Sequence, residues 1–74
     1  MSQYWPTGNL YFAKYNDLII SYFIAENTKQ VYDWLDHESD YEADICVIEK
    51  MHSLEEDDVR SLVVNCVAKL LIEE

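Results

Sequence analysis

Glycine and proline are almost missing: one of each occurs in 74 residues. Long irregular loops and a glycine-rich phosphate cradle are thereby excluded, because both depend on these residue types. Basic residues are nearly as scarce, five Lys and Arg against fifteen Asp and Glu, for a formal charge of −10. Binding to DNA, RNA or an anionic membrane surface rests on Lys and Arg meeting phosphates, so none of the three suits this chain. No stretch reaches the ~18 apolar residues of a membrane span. The opening MSQYWPTGN lacks the basic and apolar regions of a secretory signal. The expected location is the cytoplasm, that of the host cell if a phage encodes the protein. Cysteine is limited to Cys46 and Cys66, expected to be reduced thiols there.

What is present is greasy. Half of the residues are hydrophobic, and six Tyr, two Trp and two Phe make the chain aromatic-rich. That is ample for a core, so residues 1–74 are expected to form one small folded domain.

Asn9–Tyr15 and Leu18–Glu26 are rich in β-branched and aromatic residues and flank Asn16-Asp17, a pair suited to a tight hairpin turn. A regular hairpin sets Tyr15 against Leu18, Ala13 against Ile20 and Tyr11 against Tyr22. Leu10, Phe12, Ile19, Phe23 and Ala25 then share the other face, so both faces are apolar. Asn27 reads as a helix cap with Gln30 as its capping-box partner, and Val31, Trp34 and Leu35 at helical spacing predict a helix from 28 to about 38. Ala43–Lys50 alternates like a strand. Ser53 with Glu56 forms a second capping box. Val59, Leu62, Val63, Cys66, Val67 and Leu70 make one helical stripe, widened by Val64, Ala68, Leu71 and Ile72, which predicts a helix to the C-terminus with Cys66 in the core. The expected fold is a small α+β domain of order β-β-α-β-α. Its three-stranded, mainly antiparallel sheet is expected in order 2-1-3, with 1-2-3 as the alternative, and both helices on one face.

The charge is concentrated. Residues 33–44, DWLDHESDYEAD, hold six carboxylates and no Lys or Arg, and a second block follows at 55–58. A calcium loop needs alternating oxygen ligands, a glycine at its sixth position and a glutamate at its twelfth. Starting at Asp36 puts Tyr41 and Val47 at those two places, and starting at Asp40 puts Ile45 and Met51 there. Neither register works. His37, Cys46, His52 and Cys66 lack the paired spacing of zinc ligands. No serine lies in a nucleophile elbow, and so short a chain has little room for a substrate pocket beside its core. The expectation is a protein that is not an enzyme and takes no metal or other cofactor.

The ordinary reading of a charge run is a solvated turn that keeps a greasy domain soluble. Against it stand the separation of the acids from the lysines and the presence of Trp34 and Tyr41, residue types common among interface anchors. On an extended strand Asp40, Glu42 and Asp44 would project from one face about 6.6 Å apart. Two steps along a DNA strand advance about 6.8 Å. The expected function is that of an acidic inhibitor that occupies the basic surface of a nucleic-acid-binding protein. Small DNA mimics of this kind serve phages and mobile elements in counter-defence, as anti-CRISPR or anti-restriction proteins. Asp33, Asp36, Glu38, Asp40, Glu42 and Asp44 would supply the charge, and Trp34 and Tyr41 the anchors. The alternative is a structural or adaptor subunit that assembles through apolar surfaces. A homodimer is also expected, held by Leu10, Phe12, Ile19 and Phe23 or by Val64, Ala68 and Ile72.

Overall fold

The computed structural model describes residues 6–72. Strands β1 (Gly8–Tyr15) and β2 (Leu18–Ala25) are followed by helix α1 (Thr28–Glu38), a 3-10 turn (Ala43–Ile45) and strand β3 (Val47–Leu54). Helix α2 (Glu56–Val64) and a short strand β4 (Lys69–Leu70) complete the chain. The sheet runs β3-β1-β2-β4, with β1 antiparallel to both neighbours and β4 parallel to β2. The α+β class and the 2-1-3 order of the first three strands are as expected. The fourth strand is not.

Asn16 and Asp17 both take positive φ, 53° and 65°, as the two central residues of a tight hairpin turn must. Tyr15 pairs with Leu18 and Lys14 with Ile19, but Ala13 pairs with Ser21. Ile20 is therefore an extra residue, a β-bulge, and every pair beyond it shifts by one. Tyr11 faces Phe23 rather than Tyr22, and Phe12 faces Tyr22. The shift moves Phe23 and Ala25 to the same side as Tyr11 and Ala13.

The two helices lie on opposite faces of the sheet, not on one. α1 buries Val31 and Leu35 among Tyr11, Ala13, Phe23 and Ala25. α2 places Val59 against Leu10, Ile24 and Leu54, with Leu62 and Val63 beside them. The reason is the two-faced hairpin itself. With both helices on one side, Leu10 and Ile24 would face water, and each fully buried side chain of this size stabilises by about 1.5–3 kcal/mol. Covering the second face also removes much of the surplus surface on which the dimer expectation rests. Leu10, Phe23, Ala68 and Ile72 are all buried within the single chain.

The first helix starts as expected, with Asn27 Oδ1 accepting from Gln30 N at 3.1 Å. Gln30 Oε1 reaches one residue further back and accepts from Glu26 N at 2.7 Å. The second helix is capped by Glu55, not Ser53, in a capping box with Asp58. Ser53 is drawn into β3, whose pairing with β1 extends to Leu54 opposite Gly8, and its hydroxyl donates to Asn9 Oδ1 at 3.0 Å. A Cβ on Gly8 would overlap Ile72 Cδ1 and press on Ala25 O at 3.0 Å. Close packing, not backbone freedom, is what the only glycine provides.

α2 stops at Val64 instead of continuing. Cys66 N donates to Val63 O (3.1 Å) and Val67 N to Leu62 O (2.9 Å), the bond pair of a Schellman cap. The left-handed residue such a cap requires is Cys66, φ 57°, which is exposed rather than buried in the core as expected. The reversal lets Lys69 and Leu70 pair with Phe23 and Ile24 and folds Ile72 into the second core. Left-handed backbone costs a non-glycine residue roughly 1–2 kcal/mol. Cys66→Gly is therefore expected to stabilise the protein by about 1 kcal/mol, after allowance for glycine's greater unfolded-state entropy. Equilibrium denaturation in urea measures the difference.

Candidate functional site

The acidic stretch occupies the last two turns of α1 and the segment that follows. Val31 and Leu35, four residues apart, turn inward, which leaves Asp33 and Asp36 on the outer side, while Glu38 is exposed as the last residue of the helix. α1 begins beside Ala25 and runs back along the sheet, so its end lies near the hairpin turn. Tyr41 there packs against Tyr15, ring centroids 5.0 Å apart. Ser39 fixes the exit from the helix: its hydroxyl donates to Leu35 O (2.8 Å) and accepts from Tyr41 N (3.1 Å).

Asp36, Glu38, Asp40, Tyr41, Glu42 and Asp44 are exposed, and Asp33 is half-buried. Lys29 pairs with Asp33 at 2.9 Å, and Asp36 lies 3.8 Å from His37 Nε2. Among the described residues, Glu38, Asp40, Glu42 and Asp44 have no ion-pair partner. Asp44 accepts a hydrogen bond from the Tyr32 hydroxyl. The hydrogen bond to Asp33 and its negative charge raise the pKa of Lys29. Hydrogen bonding to Asp44 and then its charge likewise raise that of Tyr32.

Two of the expected features change in the structure. Asp44 belongs to the 3-10 turn, where Ile45 N donates to Glu42 O and Cys46 N to Ala43 O, both at 3.2 Å. Asp40, Glu42 and Asp44 thus do not form an extended row at strand spacing. β3 starts only at Val47. Trp34 packs against the first core, 5.2 Å from the Phe23 ring, with Lys69 Nζ 5.1 Å from its own ring centre. Its ring is committed to the fold, while Tyr41 remains 42% exposed. Tyr32 and Tyr15, which hold the segment in place, carry no signal in the sequence beyond an aromatic on the polar side of a helix and one at a strand end.

The second acidic block is a different surface. β3 ends opposite Gly8, so α2 begins at the far end of the sheet from the hairpin turn and on the other face. Glu56, Asp57 and Asp58 occupy its first turn, where the helix dipole favours negative charge. Asp36 and Glu38 sit at the opposite pole of α1, where the dipole disfavours them, with His37 as the sole basic residue of the last turn. The second block therefore has a structural reason to be acidic, whereas in the first the helix dipole gives Asp36 and Glu38 none.

Among the described residues, no three His, Cys, Asp or Glu side chains gather as metal ligands. No described helix is long and apolar enough to cross a membrane. A shallow hollow of about 420 Å³ lies between the end of α2 and β4, lined by Val63, Val67 and Leu70 with Ser21 and Lys69, apart from the acidic segment. The half-buried Cys46 thiol is pushed up in pKa by burial, which keeps it protonated and a poor nucleophile. Comparison with family models, curated proteins and solved structures returns no match.

Trp34→Ala is expected to cost about 2 kcal/mol of stability, less than a fully buried tryptophan because the ring is partly open. Thermal and urea denaturation of that variant check this. Tyr32 supplies a pH signature. Its neutral phenol makes the bond to Asp44, so its folded pKa lies above the ordinary 10.0. The contribution is complete below pH 10 and lost as pH rises through the raised folded value. The stability difference between wild type and Tyr32→Phe should hold between about pH 7 and 9 and shrink above that, as measured by urea midpoints.

Proposed function

We propose that this chain is a non-enzymatic binding protein. Its acidic face, formed by the end of α1 and residues 39–45, occupies the basic surface of a nucleic-acid-binding protein or complex in place of the phosphate backbone. The setting that suits a small, acidic protein of this design is counter-defence by a phage or mobile element, as an anti-CRISPR or anti-restriction inhibitor. The observation that carries this reading is the placement of Asp36, Glu38, Asp40 and Glu42. They are exposed, gathered at and just beyond the pole of α1 that disfavours negative charge, and at most loosely compensated by His37. Charge placed against the helix dipole gives the fold nothing in return. It suits a partner that supplies the missing cations.

A second reading rests on a different surface. Val64, at the end of α2, and Val67, in the turn beyond it, are 66% and 50% exposed. An adaptor or homodimer assembled there would use apolar contact, with acidity serving solubility alone.

The two readings part in one experiment on the partner captured from the native host. Replacing Asp36, Glu38, Asp40 and Glu42 together by Asn or Gln should leave the fold intact and slow association on the order of tenfold or more. Wild-type binding should weaken as salt rises. Affinity that ignores both the substitutions and salt, yet falls with Val64→Lys, would replace the acidic-face reading by the adaptor.

A further inference from the structure

We infer that two copies of this chain associate edge to edge, β3 against β3 in antiparallel order, so that their four-stranded sheets become one. The two ends of the order β3-β1-β2-β4 are unequal edges. β4 is two residues long, whereas β3 runs for eight, with Val47 and Glu49–Ser53 exposed. Among the described residues no strand lies beyond it. Alternate residues of such a strand turn their N–H and C=O groups outward, where another strand can take them up. The inference does not depend on the acidic-face reading, and its surface is not that of Val64 and Val67.

A bulge specifies the occupant. Leu10 pairs with His52 and Tyr11 with Lys50, so Met51 is an extra residue. Directly paired residues share a face. Ile48, opposite Ala13, and Lys50, opposite Tyr11, therefore lie on the α1 side, and His52, opposite Leu10, lies with Leu54 on the α2 side. By alternation Val47 and Glu49 belong to the α2 side and Ser53 to the α1 side. Aligned end to end with a copy of itself, an eight-residue strand without a bulge would set every residue against one from the opposite face. The bulge cancels that mismatch. Val47 meets the second copy's Leu54, Ile48 its Ser53 and Glu49 its His52, each pair on one face. A regular foreign strand that matched the faces before Met51 would mismatch them after it. Lys50 and the bulge thus guard the edge against other strands, while a second β3 fits it.

Charge agrees with this choice. Glu49 and Lys50 are the formally charged residues of β3, so the edge is neutral in a chain of −10. In the end-to-end register Glu49 of each copy faces His52 of the other, and neither side chain has an ion pair among the described residues. Beyond the strand the copies repel, because Asp44 precedes β3 and Glu55–Asp58 follow it. Salt therefore strengthens this contact, the reverse of its effect on a basic partner of the acidic face.

Sedimentation of the full chain is the test, with salt raised from about 0.1 to about 1 M so that the screening length falls from about 10 to about 3 Å. The monomer–dimer equilibrium should shift toward dimer. His52→Glu, which sets like charges opposite each other twice, should weaken the dimer on the order of tenfold. The exchange of Glu49→His together with His52→Glu should restore it, and Thr28→Glu, which adds the same charge away from the edge, should not weaken it. All three positions are exposed, so the monomer keeps its fold. Hydrogen exchange at high concentration should add protection to β3 amides and none to residues 64–67. A monomer at every concentration and salt, or a dimer that His52→Glu leaves unchanged, overturns the inference. A dimer lost with Val64→Lys but not with His52→Glu overturns it in favour of the end of α2. None of these results touches partner binding by the acidic face.

Discussion

The residue inserted in β2 decides which of that strand's side chains each core contains. The bulge at Ile20 changes the parity of β2, so Phe23 and Ala25 reach the α1 side with Tyr11 and Ala13, while Ile24 joins Leu10 on the α2 side. A one-residue slip exchanges the two faces of a strand. Without the bulge, Phe23 would crowd the side that Val59, Leu54 and Ile72 close, and Ile24 would replace it beneath α1. Both helices, the turn after α2 and the fourth strand are fitted around that parity.

Negative charge is spread around this framework in two different ways. At the start of α2 it works with the helix dipole and a capping box, so Glu55–Asp58 contribute to the fold as they stand. After the end of α1 it works against the dipole, held out by Ser39 and Tyr32 on a segment stiffened by a 3-10 turn. Rigidity matters to a charged surface that binds. Carboxylates already fixed in place lose less freedom when a partner arrives.

Much of this was legible in the residues, and the gaps have physical causes. The hairpin turn could be read because Asn16 and Asp17 tolerate positive φ, and α1 because Asn27 and the Val31–Leu35 spacing mark its start and its inner face. The bulge was invisible, since Ile20 is a good strand residue and no glycine signals an irregularity. The end of α2 was hidden for the same reason: Cys66 takes the left-handed position that glycine usually marks. Alternation over Ala43–Lys50 resembled a strand, yet its first residues coil into the 3-10 turn. Among the expected site residues, Asp33 and Asp36 could be placed from helical spacing, whereas Asp40, Tyr41, Glu42 and Asp44 lie beyond the helix, in a segment whose course the alternation of acids did not reveal. Trp34 could not, because its position is settled by Phe23 and Lys69, which reach it only through tertiary packing.

A hairpin clasped on both sides has lost the freedom that most antiparallel sheets keep. Where one face is wet, every second position can vary with little consequence. Here Phe23, Ile24 and Ala25 are buried in succession, as are Leu10 and Tyr11. Neighbouring positions answer to different cores, so neither parity is neutral. Divergence among descendants of this chain would therefore collect on the outer side of α1 and along β3, whose residues from Glu49 to Ser53 are all exposed. The hairpin would change slowly and in matched sets, a single block of inheritance between two surfaces free to evolve.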